Sequence, residues 1–113
     1  MPLIVEQQGD VTVAAVNVEQ FDASNADEFK REISPVLAET KKLVLDMSGV
    51  QFVDSRACGA ILSCLKHLSE VGGDLKICNV HRFVATTFEL IRLHRICEIV
   101  PTKEDAVRAF AAS

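Results

Sequence analysis

The sequence predicts an α/β domain forming one unit over residues 1–113, and three observations carry that reading. Short β-branched and apolar runs alternate with longer stretches whose apolar residues recur at helical spacing. Small turn pairs, Gly9-Asp10, Ser48-Gly49 and Gly72-Gly73, separate them. The alternation is regular through the second half, as parallel β-α-β units with helices on one or both faces of a sheet require.

Residues 3–8 and 11–18 are β-branched and apolar on either side of Gly9-Asp10, which predicts two strands joined by a turn. Residues 22–39 carry Phe29, Ile33, Val36 and Leu37 at helical spacing, with Asp22 or Ser24 as N-cap and Asp27 and Glu28 suiting a positive helix start. Pro35 is expected to bend that helix or to mark its last turns. Residues 42–47 are too short for a helix and read as a central strand, and residues 50–53 continue the extended run. A helix over residues 57–71 places Ile61, Leu62, Leu65, Leu68 and Val71 on one face, and Gly72-Gly73 ends it. A strand follows at 75–80, then a helix at 83–93 with Phe83, Phe88, Leu90 and Ile91 as its apolar members. The chain closes with a strand at 96–100 and a helix at 104–111, with Thr102 as N-cap and Ala106, Val107 and Phe110 as the buried stripe.

Composition limits function. With 49% hydrophobic and 25% charged residues the chain can build a core. A net charge of -4 argues against a nucleic-acid surface, which needs clustered cations, and points to protein partners. No apolar run approaches the roughly 20 residues of a membrane span, and the opening MPLIVEQQGD lacks a signal-peptide pattern, so a cytoplasmic protein without membrane insertion is expected. Cys58, Cys64, Cys78 and Cys97 form no C-x-x-C pair and sit among apolar neighbours, where a thiol behaves as a small buried hydrophobe. His81, His94 and Cys97 match no standard metal spacing. Ser55, His67 and Asp54 lack the G-x-S-x-G elbow of a hydrolase, and no glycine-rich phosphate loop is present. No catalytic residue, metal or cofactor is therefore expected.

One stretch carries more information, VQFVDSRACGAIL at residues 50–62. It places Asp54 at the carboxyl end of a strand and Ser55, Arg56 and Ala57 at the start of a helix, where open α/β sheets meet their ligands and partners. The free N–H groups and partial positive charge of a helix start favour an added anion, and a phosphoserine there gains hydrogen bonds. Asp54 or Ser55 could equally serve as the N-cap alone, and the residues by themselves leave cap and site both open.

LVLDMSGVQFVDSRACGAIL resembles the signature of the STAS domain family of anti-sigma-factor antagonists, in which an apolar run leads into a D-S-S-G-L-G-like turn. FDASNADEFKREI resembles the family's Asp-containing loop and first helix, and DLKICNVHRFVATTFELIRLHRICEIV followed by KEDAVRAF resembles its closing elements. The resemblance implies a four- or five-stranded mixed sheet packed by about four helices, and a bacterial switch protein rather than an enzyme. Its partners would be an anti-sigma factor that is also a serine kinase, and a serine phosphatase. The kinase would phosphorylate a hydroxyl at the start of the second helix and so abolish binding.

Two positions depart from the pattern. Where the family places its acceptor serine stands Arg56, and where it places glycine stands Ala57. Ser55, directly after the aspartate, is then the candidate acceptor, as in members resembling stressosome scaffolds. The resemblance implies a partner surface of Asp22, Asp54, Ser55, Arg56 and Cys58. Three readings stay open: a regulated phosphoserine whose phosphate pairs with Arg56; an unregulated domain with Ser55 as N-cap and Arg56 as a contact residue; and a STAS scaffold or subunit of a signalling or transport complex. Asp46, like Asp22 and Asp54, resembles an acidic position near the family's site, but capping the Ser48-Gly49 turn is the favoured role for it. Arg82, Arg92, His94 and Arg95 make a basic cluster in an acidic chain, either a solvated face or a receiver for an acidic helix. Leu3, Ile4 and Val5 offer a sheet edge for a second copy, so monomer and homodimer are both compatible.

Overall fold

The computed structural model describes residues 3–111. Its elements are β1 (Leu3–Gln8), β2 (Val11–Val16), β3 (Gln20–Phe21), α1 (Ala26–Glu39), β4 (Lys42–Asp46), β5 (Phe52–Val53), α2 (Ser55–Glu70), β6 (Asp74–Cys78), α3 (Arg82–Leu90), β7 (Glu98–Val100) and α4 (Lys103–Ala111), with a 3-10 turn at Leu93–Arg95. The main sheet has the order β1-β2-β4-β6-β7; β1 runs antiparallel to β2 and every other pair is parallel. This is the α/β class that the sequence predicts, and its five-stranded mixed sheet and four helices fall within the four- or five-stranded sheet with about four helices that the resemblance implies.

The position of β4 follows from its composition. Leu43, Val44 and Leu45 are all fully buried, because a central parallel strand is covered on both faces. Leu43, Leu45, Leu75 and Ile77 face the layer of α1, α2 and α3, which contributes Phe29, Ile33, Ile61 and Phe88. Val11, Val13 and Val44 face α4, through Ala106 and Phe110. Lys76, also on the α4 side, is a buried cation: its Nζ lies 2.9 Å from Glu98 and 3.5 Å from Asp74, and 4.7 Å above the Phe110 ring. The paired carboxylates and the ring face offset its lost hydration.

Several local expectations shift. Neither Asp22 nor Ser24 caps α1. The cap position is Asn25, whose side chain makes no capping bond because it instead accepts from Asp22 N and donates to Gln20 O. Thr102 does cap α4, its hydroxyl accepting from Asp105 N. Helix α2 ends in a Schellman motif, with Gly72 at φ +80° and Gly73 N donating to Leu68 O at 2.7 Å. Pro35 lies inside α1 with one further turn of helix after it, so it marks the last turns rather than the end. In α3 only Val84 and Phe88 are buried, while Phe83 and Leu90 are 79% and 80% exposed. This nine-residue helix packs chiefly on the two-residue strand β5 and on the 3-10 turn, which cover one narrow stripe and leave Phe83 and Leu90 facing outward. No described helix is long and apolar enough to cross a membrane.

Candidate functional site

The site is built on the small parallel pair β3 and β5, in which Gln20 lies opposite Phe52 and Phe21 opposite Val53. Gln51 N and Phe52 N donate to Glu19 O at 2.7 and 3.2 Å, and Asp54 N donates to Phe21 O at 3.3 Å. These bonds lay the start of α2 beside the loop that leads into α1.

Asp54 joins the two. Its backbone is extended, one carboxylate oxygen accepts from Ala57 N at 2.9 Å and the other from Ala23 N at 2.9 Å. It is therefore the N-cap of α2 and a staple to the neighbouring loop. The Ala57 N–H is the largest influence holding its carboxyl below the usual carboxylate range, with partial burial opposing and the Ala23 and Arg56 backbone donors and the Arg56 charge assisting. Since the folded value lies below the unfolded one, the staple's stabilisation is complete above the ordinary carboxylate range and is lost as pH falls through the folded value. Asp54→Ala is expected to lower stability by about 1 kcal/mol at pH 7, with the gap to wild type closing below about pH 4 in urea melts.

With Asp54 as the cap, Ser55 is left at the first helical position, exposed, its hydroxyl without a hydrogen-bond partner among the described residues. The Arg56 guanidinium leans to α1, 3.8 Å from Asp27, both side chains being mostly exposed. A surface pair this loose is worth little and leaves Arg56 free to move. Asp22 lies on the facing loop, where one carboxylate oxygen accepts from Ser24 N at 3.0 Å and from the Ser24 hydroxyl at 2.6 Å. Asp46 takes the turn-capping role: it accepts from Ser48 N at 3.1 Å and from Asn79 Nδ2 at 3.0 Å. His81 Nε2 lies 2.7 Å from Ser48 O and ties the start of α3 to the same turn.

Asp22, Asp54, Ser55 and Arg56 thus gather at one end of the molecule. Cys58 is a correction: it is 4% exposed, on the inward stripe of α2 with Ile61 and Leu65, and cannot itself form partner surface. It packs beneath the turn. Two other residues do reach the surface there and were not singled out by sequence. Phe52, half-exposed, precedes the turn on β5 while its neighbour Val53 turns inward. Gly59 follows Ser55 by one helical turn, and a Cβ there would meet nothing within 4 Å. A mid-helix glycine costs about 1 kcal/mol relative to alanine, and no packing requires this one. Its sequence signal was a lone glycine inside a helical pattern.

The thiols offer no chemistry here. Burial pushes Cys64, Cys78 and Cys97 up to about 12, and burial with the nearby Asp54 carboxylate raises Cys58. All four cysteines are free and buried, so none is expected to react with a disulfide reagent within minutes at pH 8, and all four should react after unfolding in guanidinium. No group of three or more metal-binding side chains gathers among the described residues.

Comparison with known proteins adds four findings. The sequence pattern of the STAS domain matches residues 2–106. A Thermotoga neapolitana protein named as an anti-sigma factor antagonist is 29% identical over 100 residues, 87% of this chain and 88% of that one. A crystal structure described as an anti-sigma factor antagonist from Thermotoga maritima superposes with a TM-score of 0.89 at 28% identity, covering 95% of this chain and 92% of that one. SpoIIAA, solved in an unphosphorylated form and, as a Bacillus cell fate determinant, in a phosphorylated form, superposes with TM-scores of 0.74 and 0.73. The unphosphorylated form shares 98% coverage of both chains, and the phosphorylated form covers 96% of this chain and 98% of its own. Identities of 14% and 17% make that a likeness of fold alone. The match over nearly the whole chain, on a five-stranded mixed sheet with four helices, makes this protein a member of the STAS domain family.

Proposed function

We propose that the chain is an anti-sigma factor antagonist: a binding module, not an enzyme, that docks on an anti-sigma factor with serine-kinase activity and is switched by phosphorylation of Ser55. A serine phosphatase restores the binding form, and the system operates in the cytoplasm without a cofactor. The observation that carries this reading is the exposed, unpartnered Ser55 hydroxyl at the first position of α2, freed from capping by Asp54. The names of the relatives support the antagonist role.

Asp22, Asp54, Ser55 and Arg56 form the partner surface, extended by Phe52 and the bare backbone at Gly59. Cys58 supports it from below. A phosphate brings a charge of about -1.5 to -2 to a turn already bearing the Asp54 and Asp22 carboxylates, so a partner fitted to the neutral hydroxyl meets repulsion and a desolvation cost. Arg56 can leave Asp27 for the phosphate, since a charge-assisted bidentate pair outweighs a loose surface contact.

The presence of Arg56 where the family places its acceptor serine favours a second reading, an unphosphorylated scaffold or subunit of a signalling or transport complex. Incubation with the cognate kinase and ATP, followed by localisation of phosphate by mass spectrometry, separates the two. Phosphate on Ser55 supports the switch. An unmodified Ser55 with a kinase shown to bind the chain overturns it in favour of the scaffold.

A further inference from the structure

We propose that β1 pairs with β1 of a second copy of this chain, antiparallel across a two-fold axis at Val5, so that two five-stranded sheets join edge to edge. The pairing stands independently of the reading of Ser55.

The strand is an open edge. β1 ends the main sheet, and β2 is its one ladder partner among the described residues. Every second residue of an edge strand directs its N–H and C=O away from the sheet, and no further hydrogen bond reaches the backbone of residues 3–8 among the described residues. A row of such groups is matched by one kind of protein element, another extended strand. Proteins guard these edges with lysine, proline, a bulge or shortness. Residues 3–8 contain no lysine and no proline, and the pairs from Leu3↔Val16 to Gln8↔Val11 run without a bulge. The one charge on the strand, Glu6, is already met by Lys103 Nζ at 2.8 Å. The opposite edge, β7, is by contrast only three residues long.

The side chains select a second copy. Leu3 enters the core on the side of α1 and α2, whereas Glu6 reaches α4, so Leu3, Val5 and Gln7 share one face and Ile4, Glu6 and Gln8 the other. Each face leaves an aliphatic side chain uncovered: Val5 is 46% exposed and Ile4 59%. A two-fold axis normal to the sheet keeps each face with its like, so opposed residues must be both odd or both even. With Glu6 on the axis two carboxylates stand directly opposed, which destabilises the pair, and with Ile4 there only residues 3–5 are paired. With Val5 on the axis residues 3–7 are paired, Val5 meets Val5, Ile4 meets Glu6 and Leu3 meets Gln7, and no like charges are opposed. The aliphatic stems of Glu6 and Lys103 then cover the second copy's Ile4. On the other face a depression of about 350 Å³, lined by Val5 and Gln7 with Pro35 and Val36 of α1, lies ready for the second copy's Val5.

Five paired residues span about 17 Å, at the small end of stable interfaces. The dimer is therefore reversible, half-formed at about 10–100 µM. Its axis reverses the strand direction, so the two Ser55 turns, each beyond the carboxyl ends of the parallel strands, face opposite ways.

Sedimentation equilibrium of the full-length protein from about 5 to about 500 µM should show the mass rising from monomer toward dimer. Val5→Lys sets like charges on the axis at an exposed position and should weaken association at least tenfold. Ile4→Lys, on the other face, should give a similar loss and serves where Val5→Lys is poorly folded. Register is read by oxidation: Val5→Cys should form a disulfide-linked dimer at least tenfold faster than Glu6→Cys, against a low background because the native thiols are buried. A monomer throughout the range, unchanged association in both lysine variants, or Glu6→Cys linking as fast as Val5→Cys would each overturn the proposal. So would β1 amide shifts on adding the proposed kinase without self-association, an outcome that assigns the edge to a foreign strand.

Discussion

Replacing Ser55 by aspartate is expected to weaken binding of the proposed partner, an anti-sigma factor kinase, at least tenfold, about 1.4 kcal/mol, while Ser55→Ala binds within about twofold of wild type. The asymmetry follows from the site. The hydroxyl makes no bond within the fold, so its removal leaves no group orphaned, whereas a carboxylate would stand beside Asp54 and face Asp22 across the stapled loops. Stability should stay within about 0.5 kcal/mol in both variants, because Ser55 is exposed. Calorimetric titration with the purified kinase and thermal melts of the same samples check both halves. Equal affinity of Ser55→Asp and wild type would remove the electrostatic basis of the switch.

The largest effect on the fold itself is expected at Gly73, where alanine should cost about 3 kcal/mol, readable as a lower urea midpoint with unchanged slope. A Cβ at this position would lie 2.3 Å from Lys41 O and 2.9 and 3.0 Å from the Lys41 Cα and carbonyl carbon. These are backbone atoms that cannot rotate away. They are also committed, since Lys41 O accepts from Asp74 N at 2.8 Å where β6 begins to pair with β4. Relief requires moving the end of α2 or opening the centre of the sheet. Gly59→Ala is the contrasting case, expected to raise stability by about 0.5–1 kcal/mol in the same melts because its Cβ enters open space in a helix interior.

The difference between these two glycines marks what a sequence can and cannot express. Both stand in or beside the same helix, and the pattern reads Gly73 only as part of a stop signal. Its close approach to Lys41 joins residues 32 positions apart, a distance over which periodicity carries no information. The same holds for the site. That Asp54, Ser55 and Arg56 lie between a strand and a helix was legible, since the apolar period changes there. Which residue caps the helix was not, because aspartate and serine cap about equally well and the choice fell to geometry: Asp54 reaches both Ala57 N and Ala23 N. Cys58 was placed on the partner surface by likeness to a motif, and the inward stripe of α2 took it instead.

By itself, then, the sequence determined the α/β class, the order of every major element and the strand-to-helix turn at Ser55, because local periodicity, turn residues and apolar run length are properties of neighbouring residues. Tertiary structure alone decided the pairing of β3 with β5, the Asp54 staple, the lean of Arg56 toward Asp27 and the exposure of Phe83, Leu90 and Ile96. Each depends on which element lies alongside which. An apolar residue at helical spacing is buried only where a neighbouring surface is wide enough to cover it, and α3 has chiefly the two-residue β5 and the 3-10 turn against it.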